Sequence, residues 1–174
     1  NRLVLRAGLT WREVVILRAY AKYLRQRGVA FSQAYIEETL ADYPAIAADL
    51  VALFHARFDP AAEKRREARV TKIVTAIEAG LDEVVNLDQD RILRRFLNLV
   101  LATKRTNYYQ PADNAQRGDD AFAGKPYVSL KIDSAMVDDL PLPRPHAEIF
   151  VYSPRVEAVH LRGGMVARGG IRWS

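Results

Sequence analysis

Residues 106–126, TNYYQPADNAQRGDDAFAGKP, separate two stretches written in different hydrophobic periods. Upstream, apolar residues recur at helical spacing. Downstream, they recur at every second position, the spacing of a strand with one face buried. The tract itself is polar and broken by proline and glycine, which is the composition of a loop or linker. This change of period predicts an α+β fold. A helical subdomain spans residues 1–105, a linker spans 106–126, and residues 127–174 form a short β-rich segment that begins an incomplete α/β unit.

Upstream of the tract, Thr10-Trp11-Arg12-Glu13 fits a capping box, with Thr10 as N-cap and Glu13 reaching back. Trp11, Val14, Val15, Leu17, Ala21 and Leu24 then follow a helical stripe, and Gly28 is a natural stop. Ser32 caps a second helix. Pro44 ends it or opens the next, which carries Ile46, Leu50, Leu53 and Phe54. Asp59-Pro60 reads as a restart, an N-cap aspartate followed by proline at the first helical position. Val70, Ile73, Val74 and Ile77 face inward on that helix, and Gly80 is a candidate interruption. Asn86 and Gln89 resemble a second capping box, opening a helix with Ile92, Leu93, Phe96, Leu97 and Val100.

Downstream, Val128, Leu130 and Ile132 alternate with Tyr127, Ser129, Lys131 and Asp133. Ala147, Ile149 and Val151 alternate with Glu148, Phe150 and Tyr152, and Val156 to Leu161 makes a third run. Between the first two lies DDLPLPRP, residues 138–145, whose spaced prolines exclude a helix and disfavour a central strand. So small a sheet is marginal by itself. With a start at Asn1 and a stop in a glycine-rich loop, it leads to the expectation of a piece of a longer polypeptide.

Composition bounds the function. Of 174 residues, 49% are apolar and 27% charged, an ordinary globular balance. The chain has no cysteine, which excludes disulfides and thiolate metal sites. His55, His146 and His160 have no ligand partner at helical spacing, so no metal is expected. No apolar run approaches a membrane span, and NRLVLRAGLT lacks a signal-peptide core. No membrane partner and a cytoplasmic location are expected. The net charge of +5 is dispersed and interleaved with acids, so no nucleic-acid partner is expected. The best case for the alternative, a basic helical nucleic-acid-binding domain, is DRILRRFLNLVLATKR, residues 90–105. Its Arg91, Arg94 and Arg95 would form one patch, with Tyr108 and Tyr109 available to stack on bases. A third reading makes the helical half a structural or assembly segment.

The glycine loop Gly163-Gly164-Met165-Val166-Ala167-Arg168-Gly169-Gly170 is neither a P-loop nor a dinucleotide fingerprint. It suits an anion nonetheless, because glycines allow close backbone approach and arginine presents a planar fork to a carboxylate. A glycine-rich β-turn with solvated arginines fits the same composition.

ARGGIRWS resembles the KGGIRF-type segment of glutamate dehydrogenases, above all their large NAD-specific bacterial branch. Residues 125–174, from KPYVSLKID onward, look like the opening of that branch's catalytic region, and TKRTNYYQ looks like the join upstream. The resemblance implies a parent enzyme that oxidatively deaminates L-glutamate to 2-oxoglutarate and ammonia with NAD, and that is a homo-oligomer. It also implies that residues 127–174 start the substrate-binding domain. Arg168 would grip the side-chain carboxylate, with Gly169 and Gly170 beside the substrate and His160 a further candidate. Arginine stands where lysine is usual, and Met165-Val166-Ala167 replaces a Gly-Pro-aromatic approach. No catalytic residue and no NAD site are expected within these residues, so the piece should be inactive alone.

Overall fold

The computed structural model describes residues 2–62, 64–111, 124–165 and 171–173. They form two compact units, residues 1–101 and 102–174, one helical and one a sheet, in agreement with an α+β class.

In the helical unit, α1 is Arg2–Ala7 and α2 is Trp11–Gln26. The capping box forms: Glu13 N donates to Thr10 Oγ1 at 3.3 Å, and Thr10 N donates to Glu13 Oε2 at 2.7 Å. Gly28, at φ +79°, ends α2. Its N–H reaches Arg25 O and the Val29 N–H reaches Leu24 O, a Schellman closure that requires the left-handed conformation. α3 is Gln33–Asp42, capped by Ser32, whose Oγ accepts from Tyr35 N at 3.1 Å. Pro44 opens α4, Pro44–Phe58, because its fixed φ suits the first turn and its missing N–H is not needed there.

α4 is the centre of this unit. Ile46, Ala47, Leu50, Val51, Leu53, Phe54 and Ala56 are all buried, more than one face of a helix. That pattern belongs to a helix surrounded by others, and α1, α2, α3 and α5 all contact it. Each large apolar side chain so enclosed contributes about 1.5–3 kcal/mol.

The restart at Asp59-Pro60 differs from the sequence reading. Asp59 Oδ1 accepts from Ala61 N at 2.8 Å, but this caps only a 3₁₀ turn, Pro60–Ala62. α5, Arg66–Asp82, begins after Arg65, which sits at φ +61°. Gly80 does not interrupt it. A Cβ there would lie 3.2 Å from Ile46 Cγ1, so the glycine lets α4 approach closely.

α6 is Leu87–Ala102. Asn86 Oδ1 accepts from Asp88 N and Gln89 N, as a cap should. The Gln89 side chain does not reach back to complete a box. It accepts from Tyr43 Oη and donates to Asp42, fastening α6 to the α3–α4 corner.

The helix stops at Ala102, where the sequence pattern carries it to Arg105. Thr103–Thr106 is strand β1, so the division between the compact units falls at 101/102 rather than at 105/106. The cause is non-local. The Asp133 N–H takes the Ala102 carbonyl at 2.9 Å, and Lys104 Nζ meets Asp133 Oδ2 at 2.7 Å.

β2 is Val128–Ile132, β3 Ala147–Tyr152, β4 Glu157–Arg162 and β5 Ile171–Trp173. The five strands pair antiparallel in chain order, β1-β2-β3-β4-β5. The tract 106–126 is pinned at its ends. Asn107 Oδ1 accepts from Ser129 N at 2.7 Å, and Pro111 bridges Gly124. On one face Val128, Leu130, Ile132, Phe150, Tyr152 and Val159 are buried. On β3 it is therefore Glu148, Phe150 and Tyr152 that point into this buried face, while Ile149 and Val151 are only half-buried opposite.

Candidate functional site: the β4–β5 hairpin

β4 and β5 run antiparallel, with Val159 opposite Trp173, His160 opposite Arg172 and Leu161 opposite Ile171. Residues 163–165 leave β4, and the pairing resumes on β5 from Ile171. Arg168, Gly169 and Gly170 lie outside the described residues.

The flank that is described is well anchored. Arg162 O accepts from His146 N at 2.7 Å, and Arg162 Nη2 donates to Met165 O at 3.3 Å. Gly163 has open space where a Cβ would stand. The last residues before the loop are thus held by the sheet, not by packing on the glycine.

His160 sits in the middle of β4, opposite Ile149 on one side and Arg172 on the other. It is half-buried; its Nε2 is shielded from solvent and takes no hydrogen bond from the described residues. The same cross-strand row runs on through Lys131 to Arg105. This second face therefore sets Arg105 directly opposite Lys131. Its acid, Asp133, is taken by Lys104, whose hydrogen bond is the main cause holding the Asp133 carboxyl below the ordinary carboxylate range.

Sequence reading missed Glu148. It is fully buried in the apolar face, in the row between Ile132 and Leu161. Phe150 and Tyr152 were the available signal, since they are the bulkier set of the alternation and bring Glu148 inward with them.

The basic patch that the nucleic-acid alternative would use on α6 is largely neutralised. Arg94 Nε donates to Asp90 at 2.9 Å and Arg94 Nη2 lies 3.6 Å from Asp82, while Arg91 is 3.9 Å from Asp88. The Tyr108 and Tyr109 rings pack edge-to-face on each other at 5.1 Å. Among the described residues no group of three or more His, Asp or Glu could hold a metal, and no helix is long and apolar enough to cross a membrane. The helical unit holds a cleft of about 420 Å³ lined by Leu3, Val14, Leu17 and Leu40, with Arg18 and Glu38 also on its wall. None of the site residues read from the sequence lies in it.

Comparison with known proteins places both units. Residues 76–174 match the family model of the bacterial NAD-glutamate dehydrogenase catalytic domain, and residues 1–60 match glutamate dehydrogenase helical motif 3. The catalytic-domain match begins inside α5, so it takes α6 together with the sheet. The whole chain is 53% identical to an NAD-specific glutamate dehydrogenase of Mycobacterium tuberculosis, 51% to one of Pseudomonas aeruginosa and 49% to one of Halomonas elongata. In each case it spans 10% of the relative's length. The chain belongs to the bacterial NAD-glutamate dehydrogenase family.

Proposed function

We propose that this chain is part of an NAD-dependent glutamate dehydrogenase that converts L-glutamate to 2-oxoglutarate and ammonia, and that the β4–β5 hairpin forms one wall of its substrate pocket. The observation that carries this reading is the catalytic-domain match across residues 76–174, which takes in the antiparallel pair β4–β5. Residues 127–174 then begin the substrate-binding domain. The enzyme is cytoplasmic and a homo-oligomer, with glutamate and 2-oxoglutarate as its ligands and neither nucleic acid nor membrane as a partner.

In this reading Arg168 takes the side-chain carboxylate of glutamate with two parallel hydrogen bonds, a geometry a guanidinium matches and an ammonium does not. Gly169 and Gly170 leave room for backbone N–H groups to come close to the substrate. His160, on the adjoining strand, borders the same wall. Holding the carboxylate fixes the orientation of the carbon that bears the amino group, which is the positioning part of catalysis. NAD accepts the hydride in the parent enzyme. The described residues do not fit it: their sheet is antiparallel throughout, whereas dinucleotides occupy crevices at the ends of parallel strands. No catalytic step is therefore assigned to these residues, and the chain alone is inactive.

Two measurements test the reading. In the longer enzyme, Arg168→Ala lowers kcat/KM for glutamate roughly 10- to 150-fold, the equivalent of about 1.5–3 kcal/mol for a charge-assisted bidentate contact. The KM for NAD changes little, and Arg168→Lys recovers part of the loss. Unchanged glutamate kinetics in a folded Arg168→Ala enzyme would remove the assignment. The chain alone, given glutamate and NAD, produces no NADH above a buffer blank; turnover there would contradict the division of labour.

A further inference from the structure

The second face of the sheet has a composition that water alone does not explain. Arg105 stands directly opposite Lys131, Lys131 opposite Ile149, and Ile149 opposite His160. Like charges placed directly across an antiparallel pair are destabilising. Neither Arg105 nor Lys131 has a side-chain hydrogen bond or ion pair among the described residues, and His160 Nε2 is shielded without a hydrogen bond. Asp133, two residues along the same face from Lys131, is already held by Lys104 at 2.7 Å.

Between and beside Arg105, Lys131 and His160 lie Ile149, Val151 and Ala158, all half-buried. A solvated sheet face reads as polar on alternate residues. This face instead mixes aliphatic and cationic side chains, which is the surface of a layer awaiting a cover. Arg105 to His160 spans three strand intervals, about 14 Å at ~4.8 Å per strand. Small-molecule sites are concave; a flat row of this breadth is matched by a packed helix, the usual cover of a sheet.

We infer that this face docks a carboxylate-bearing helix of the longer enzyme, which lays apolar side chains on Ile149 and Val151 and sets its acids over Arg105 and Lys131. The inference rests on the reading of the chain as part of a longer glutamate dehydrogenase. The acids supply the counter-charge that the described residues do not offer to Arg105 and Lys131.

Zero-length carbodiimide coupling in the longer enzyme tests this, because it joins a lysine amine only to a carboxylate already in contact with it. Peptide mapping is expected to find Lys131 joined to an Asp or Glu of the same polypeptide outside residues 1–174. Lys131→Arg keeps the charge and the fold but removes the amine, so the cross-link falls at least tenfold. The inference is overturned if Lys131 couples only to an acid within residues 1–174 or only to a second copy. It is equally overturned if Lys131 is uncoupled and acetylated as fast as the exposed Lys72, or if millimolar glutarate protects it, which would mark a small-anion site. The Arg168 kinetics are read separately. Their loss with Lys131 uncoupled leaves the enzyme reading standing and removes only the docked helix, whereas a Lys131 cross-link with unchanged kinetics does the reverse.

Discussion

The helical unit and the sheet unit solve the same problem by opposite means. In the helical unit a central helix, α4, is wrapped by its neighbours, and the chain segments that wrap it lie within about forty residues on either side. Its helix ends are set by side chains a few positions away, as at Thr10, Ser32 and Asn86. The sheet unit depends on pairing across distance. β1 meets β2 only after the tract 106–126, and β2 meets β3 only after the proline-rich turn. One of its faces is buried, and the other sets Arg105 directly opposite Lys131, neither with a charge partner among the described residues. Local chemistry shapes the first unit; register and partners shape the second.

The largest effect that can break this comparison is loss of a core aromatic in either unit. Phe54→Ala and Phe150→Ala each remove a fully buried ring and should each cost about 3–5 kcal/mol. If the units are separate cooperative bodies, Phe54→Ala lowers the melting point of the helical signal at 222 nm and leaves the amide protection of β2 and β3 in place. Phe150→Ala does the reverse. Simultaneous loss of both signals in both variants would show a single cooperative body and end the contrast.

A smaller effect sharpens it. Thr10→Ala removes the acceptor for Glu13 N and should cost about 0.5–2 kcal/mol. Burial opposes ionisation of Glu13, but the Thr10 N–H, the Thr10 hydroxyl and His55 together outweigh it and hold the carboxyl below its ordinary range. Denaturant titration of the helical signal measures the loss; a variant as stable as the parent would mean that tertiary packing, not the cap, fixes where α2 begins.

The smallest effect lies in the sheet unit. Because the Asp133 carboxyl is depressed by Lys104, the pair contributes stability above the ordinary carboxyl value near 3.8, and that contribution is lost as pH falls through the lowered folded value. Asp133→Asn removes this dependence. With Lys104 half-exposed, the pair should be worth less than about 1 kcal/mol at neutral pH. Unfolding curves of the two proteins should converge as pH falls through the lowered folded value; a gap that widens on acidification would contradict the sign.

How much was legible follows from where the determinants lie. The capping box at Thr10, the Schellman stop at Gly28, the Ser32 cap and the proline start of α4 were readable because each is written within six residues. Asp59-Pro60 misled for the same reason: its local signal is satisfied by one 3₁₀ turn, and nothing local says that α5 waits until Arg66. Gly80 read as a candidate interruption because glycine lowers helix propensity, but packing against Ile46 overrides propensity there. For the site, the motif named Arg168, Gly169, Gly170 and His160, yet only His160 falls among the described residues, so the assembly of the four remains a proposal.

By itself, the sequence determined the α+β class, the ends of α2 and α3, three of the five strands and the family, because these depend on nearest neighbours along the chain or on a short motif. Tertiary structure alone decided that Thr103–Thr106 leaves the helix for the sheet, that Glu148 turns inward with Phe150 and Tyr152, and that Arg105, Lys131 and His160 share one row. The physical reason is that strand register is set between segments far apart in the chain. A one-residue change of register would turn every one of those side chains to the other face.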